Sequence, residues 1–86
     1  MNETAAAPAK RAVRFLTREF DAFAERLGAD SNVKRARLVG CGIATMSRVR
    51  AGKQNPGQQF IAKVHAAAKQ HGADGGDFFD FHGTDA

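Results

Sequence analysis

The chain is predicted to be all-α, a compact domain of five helices, on three observations. Apolar residues recur at spacings of three and four in separate stretches, the period of a helix with one buried face. Glycines punctuate those stretches at Gly28, Gly40, Gly52 and Gly72, where a helix can leave through a left-handed residue. No stretch carries a strand signal, and no internal repeat is present. Eighty-six residues make one small domain with a modest core and no room for a separate sensing or catalytic domain.

Residues 1–8, polar or alanine and unable to bury anything, are read as a disordered arm. The first helix is predicted from about residue 9, with Val13, Leu16, Phe20, Phe23 and Leu27 as its apolar stripe. Arg11, Arg14 and Arg18 repeat at the same spacings on another side, and Gly28 ends the helix. Ser31 is placed to N-cap a second helix reaching about residue 39. A third helix follows the turn at Gly40, where a residue at positive φ is needed, and Gly52 stops it. Cys41, Met46 and Val49 are the apolar residues that hold this helix to the second, and Thr45, Ser47 and Arg48 are left for its other side. Pro56 cannot continue the third helix but can open the next.

The fourth helix should run from near Gln58 to Gln70, with Phe60, Ile61, Val64, Ala67 and Ala68 facing inward and Gly72 at its end. Gly75 and Gly76 form a loop, after which Asp77 N-caps a short fifth helix carrying Phe78, Phe79 and Phe81. On one helical turn Phe78 and Phe81 share a side. They are therefore expected to close the core, leaving Phe79 to meet a second protomer. The domain accordingly spans residues 9–81, with a tail at 82–86.

Charge is distributed unevenly. The net charge is +4. Residues 31–53 hold Lys34, Arg35, Arg37, Arg48, Arg50 and Lys53 with no acidic residue, whereas residues 71–86 hold Asp74, Asp77, Asp80 and Asp85 with no lysine or arginine. A positive face centred on the second and third helices suits a polyanion such as nucleic acid. With 43% apolar and 26% charged residues, no apolar run of membrane-spanning length and no signal-peptide pattern, a cytoplasmic protein without a membrane partner is expected. The single cysteine, Cys41, has no internal disulfide partner and is expected to pack as a small hydrophobe.

The residues from Gly40 to Pro56 carry a more specific signal. The chain resembles the lambda-repressor and Cro-like family of small transcriptional regulators, whose pattern runs Gly-apolar-Ser-x-x-Thr-apolar-Ser-Arg-apolar and then x-x-Gly-Lys-x-x-Pro. Gly40, Cys41, Thr45, Met46, Ser47, Arg48, Val49, Gly52, Lys53 and Pro56 fall in register with it. Ala36, four before the turn glycine, also sits where the family places a small residue. The resemblance covers about residues 12–81, and it implies a helix-turn-helix in which the third helix lies in the major groove of double-stranded DNA. Arg35 departs from the pattern, standing where the family usually has a larger hydrophobe, and Val33 and Leu38 are left to compensate.

Carried onto this chain, the resemblance assigns Gly42, Ile43, Ala44, Thr45, Ser47 and Arg48 to the base edges. Ile43 and Ala44 replace the polar residues common in the family, so apolar contact with thymine methyls is expected there. Arg48 can donate to guanine O6 and N7 or to a phosphate. Asn32 matches a phosphate-contacting position at the start of the second helix, and Lys53, Gln54 and Asn55 match a connector that grips the backbone. Since one such helix covers few base pairs, a homodimeric repressor of phage or prophage type on a two-fold operator is the leading reading. The alternative is an antitoxin-type regulator that binds a toxin partner as well as its own operator. RNA is disfavoured because the chain has no Tyr or Trp and its phenylalanines lie outside the basic segment.

No enzyme chemistry is expected. His65 and His71 are six apart, on opposed sides of a helix, and neither they nor His82 accompany a cysteine pair, so no metal site is assigned. The aspartates at 74–80 lack calcium-loop spacing. Nucleophile motifs and phosphate-cradling glycine loops are missing, and no cofactor is assigned.

Overall fold

The structure, a computed structural model, describes residues 13–80. Four helices dominate: α1 (Thr17–Arg26), α2 (Asn32–Val39), α3 (Ile43–Arg50) and α4 (Gln58–Gln70). A strand β1 (Arg14–Phe15) precedes them, and a 3-10 turn (Gly75–Phe78) leads into a strand β2 (Phe79–Asp80). The two strands pair antiparallel, with Arg14 opposite Asp80 and Phe15 opposite Phe79. No described helix is long and apolar enough to cross a membrane.

This small, mostly helical arrangement departs from the expected five-helix all-α fold at both ends. Among the described residues the helix carrying Phe20 and Phe23 starts at Thr17 and does not extend back through residues 13–16, because the backbone at 14–16 is committed to the chain's other end. The Leu16 amide donates to the Phe78 carbonyl at 2.9 Å. The period-2 geometry of the strand turns Phe15 toward the core and Arg14 outward; Val13 packs against the core as expected, but beside a strand and not on a helical stripe, and Leu16 is half-buried at the helix start. Leu27, the last residue assigned to that stripe, lies past the helix end and is 41% exposed.

No fifth helix forms among the described residues. Asp74, not Asp77, is the cap: its Oδ1 accepts from the Gly76 amide at 2.9 Å, so the turn begins on the glycines expected to be a loop. Gly75 presses against α4 so closely that a Cβ there would lie 2.7 Å from the Cα of His65, a place only glycine can fill. The chain then extends at Phe79 (φ −136°, ψ 145°), which carries its ring inward. Phe78 and Phe79 are both 5% exposed, so Phe79 is a core residue and not the free ring expected for a dimer contact. The expectations for the arm at 1–8, Arg11, Phe81, His82 and the tail lie outside the described residues.

The centre of the molecule is aromatic. Phe15 lies 5.1 Å from Phe20, 5.3 Å from Phe60 and 5.5 Å from Phe79 between ring centroids, and Phe23 lies 5.0 Å from Phe78. These rings tie β1, α1, α4 and the C-terminal segment together with tilted and edge-on geometry, each pair adding about 0.5–1.5 kcal/mol beyond its burial. Met46 and Val49 from α3, Val64 and Ala68 from α4, and Ala36 and Val39 from α2 complete the core.

Candidate nucleic-acid interface

The interface candidate is assembled by the junction of α2 and α3. Ser31 caps α2 as expected, its Oγ accepting from the Lys34 amide at 3.2 Å. At the other end Gly40 takes φ 88°, and the amides of Gly40 and Cys41 both donate to the Ala36 carbonyl, at 2.7 and 3.0 Å. A Cβ at Gly40 would meet no heavy atom within 4 Å, so the demand for glycine there is one of backbone conformation. The reversal brings α3 onto α2 with Ala36 only 2% exposed, its small side chain allowing the close approach. Cys41 is half-buried against the core, and burial pushes its thiol above the usual range, consistent with a packing role.

α3 opens from extended backbone at Gly42 and has neither a side-chain cap nor an acidic residue in its first turn. Because Met46 and Val49 are buried, helical geometry leaves Ile43, Ala44, Ser47 and Arg48 exposed on the outer face, with Thr45 half-buried at its edge. Ile43 is 51% exposed, a large apolar side chain held in water. The exit from α3 is locked by the Lys53 amide donating to the Arg48 carbonyl at 2.9 Å, and Pro56 is buried where the connector turns toward α4. Lys53, Gln54 and Asn55 stand exposed between these fixed points. Arg48 and Gln54 meet, the Arg48 Nε donating to Gln54 Oε1 at 2.9 Å.

Gln54 and Thr45 also line an open cleft of about 470 Å³ with Gln58, Gln59 and Phe60 at the start of α4. The two glutamines extend the polar surface beyond the residues assigned from the sequence. Their signal was the clustering of side-chain amides at Gln54, Asn55, Gln58 and Gln59 around Pro56-Gly57, which is easily read as mere loop and helix-start polarity.

Beneath this surface lies a charge cluster that the spacing of apolar residues does not reveal. Arg50 sends Nε and Nη2 to the two carboxylate oxygens of Asp21, at 3.0 and 2.5 Å, and Nη1 to Asn32 Oδ1 at 2.7 Å. Arg35, 7% exposed, packs its Nε 3.4 Å from Asp21 Oδ1 and donates through Nη2 to Glu25 Oε2 at 3.3 Å. The Thr17 hydroxyl donates to the Arg50 carbonyl at 3.4 Å. One carboxylate of α1 thereby joins α2 to α3. Arg35 fills its apolar-patterned position by pairing, while Val33, expected to compensate, is 40% exposed and Leu38 half-buried.

The cluster sorts the basic segment into two groups. Arg35 and Arg50 are held by α1, and Asn32 has given its side-chain oxygen to Arg50. Lys34 pairs at the surface with Asp30, whose carboxyl the Lys34 ammonium holds below its ordinary range. Arg37, Arg48 and Lys53 remain exposed. The structure thus leaves Ile43, Ala44, Ser47 and Arg48 exposed on α3 and Lys53, Gln54 and Asn55 exposed on the connector, with Gln54 joined to Arg48, Asn55 lining a separate cleft with Arg14, Thr17 and Arg50, and the Asn32 amide group in the ion-pair cluster. Comparison of the chain with models of known families, with curated proteins and with solved structures gave no match.

Proposed function

We propose that this chain binds double-stranded DNA sequence-specifically through α3, as a small lambda-repressor or Cro-like regulator acting as a dimer on an operator. The observation that carries the reading is the outer face of α3: Ile43, Ala44, Ser47 and Arg48 are exposed on a helix whose opposite side is fastened by Met46 and Val49. No acidic residue interrupts residues 31–53. A helix of this width fits a major groove about 12 Å across.

In that groove Ile43 and Ala44 meet thymine methyls and Arg48 donates to a guanine. Lys53, Asn55 and the connector amides neutralise and hold phosphates on one side, and the start of α2 does so on the other. Asn32 contributes there through its amide nitrogen, since its oxygen is already bonded to Arg50. Binding-site selection from random duplexes tests the reading: a preferred site of a few base pairs per half is expected, and recovery of unselected sequence contradicts it.

The antitoxin-type reading draws on a different surface. Leu27 and Leu38 line an open pocket of about 280 Å³ rimmed by Lys34 and Arg37 on the outside of α2. Copurification with a second small protein through this surface, abolished by Leu27→Asp, would favour it.

A further inference from the structure

Arg48 and Gln54 come from different elements, one from the last turn of α3 and the other from the connector that follows. Their side chains are joined by the bond from Arg48 Nε to Gln54 Oε1 at 2.9 Å. Both residues are exposed, so packing does not hold either side chain in place. A free arginine can offer a guanine two pairs of donors: Nε with one Nη, or the two Nη groups end-on. With Nε engaged by Gln54, only the end-on pair remains. The bond also fixes the guanidinium plane, which removes rotamer freedom that would otherwise be lost on binding.

We propose that Gln54 is a positioning residue for base recognition, holding Arg48 so that its two Nη groups face a guanine end-on. The inference rests on the DNA-binding reading and assigns Gln54 a role beyond that of a phosphate-gripping connector residue. The alternative fate of Arg48, a phosphate contact, needs no fixed plane, because phosphate oxygens accept from many directions. The Gln54 amide nitrogen stays free to contact the adjacent backbone.

Binding-site selection on the parent, Arg48→Ala, Gln54→Ala, Gln54→Glu and the double alanine variant, with thermal melts alongside, separates the roles. The expected result is that Arg48→Ala and Gln54→Ala flatten preference at the same single base position by about tenfold, with the double variant no flatter. Gln54→Glu, which keeps an acceptor for Nε, retains the preference. Gln54→Ala loses more affinity for the preferred site than for unselected duplex, where only the backbone contact of its amide is missing. Unchanged preference in Gln54→Ala, or an equal loss on every sequence, overturns the positioning role while leaving DNA binding intact. If the parent selects no sequence at all, both readings fall. Nitrogen-15 spectra of the free protein check the bond without DNA: a slowly exchanging Arg48 Nε–H that becomes fast in Gln54→Ala is expected, and fast exchange in the parent overturns the proposal.

Discussion

Asp21 receives two guanidinium groups while only 22% exposed, so removing it leaves Arg35 and Arg50 facing each other without the charge that separates them. Loss of one partner from a buried ion pair costs about 3–5 kcal/mol, and partial exposure places Asp21→Ala near the lower end, at about 3 kcal/mol in denaturant melts. Arg35→Leu should cost less than about 1 kcal/mol, because Asp21 keeps Arg50 and the exposed Glu25 gains little from its contact. If the two variants are equally destabilised, the cluster is not centred on Asp21. On the outer surface the proposed DNA-binding role predicts effects on binding instead. Arg48→Ala should lose about 1–3 kcal/mol of discrimination at one base position, whereas Lys53→Ala should weaken all duplexes alike and flatten the salt slope by about one. Identical base preferences in Arg48→Ala and the parent would remove Arg48 from readout.

At the scale of elements, each of the four helices ends in the same six-to-one bond. The amides of Ala29, Cys41, Lys53 and Ala73 donate to the carbonyls of Ala24, Ala36, Arg48 and Ala68. These exits were legible because a glycine marks each one. At Gly40, with φ 88°, replacement by alanine forces a left-handed L-residue and should cost about 1–2 kcal/mol, measured as a fall in the melting temperature. The two-residue strands were not legible: an alternating pattern needs several residues to show, and Arg14–Phe15 reads equally well as part of a helical stripe. For the same reason Phe79 was misassigned: one-turn geometry set it apart from Phe78, which does close the core, while the strand turns Phe79 inward as well. Phe78→Ala and Phe79→Ala should now both cost about 3–5 kcal/mol and unfold much of the domain. A Phe79→Ala variant that melts like the parent would contradict the sheet.

Across the whole molecule, the split between a basic segment at 31–53 and an acidic end was visible in the sequence, but its effective strength was not. Arg35 and Arg50 count toward the formal charge and are spent on Asp21 and Glu25, which lie outside that segment and contact it only in the folded chain. The candidate surface was largely legible for the same reason it is exposed: buried Met46 and Val49 fix the phase of α3 and so name its outer residues. With two of the six cations of residues 31–53 withdrawn, at most four phosphates are neutralised per protomer by this segment, which gives a log–log salt slope of about −3 to −4, and a salt-independent affinity would contradict an electrostatic interface. The proposed function puts duplex DNA against the outer face of α3 and its connector. Titrating a selected duplex into nitrogen-15-labelled protein tests it most directly. Amide shifts concentrated at residues 42–48 and 53–55, with a smaller set at the start of α2, are expected; shifts centred on α1 and the 3-10 turn, or none at low salt, would overturn the DNA-binding proposal.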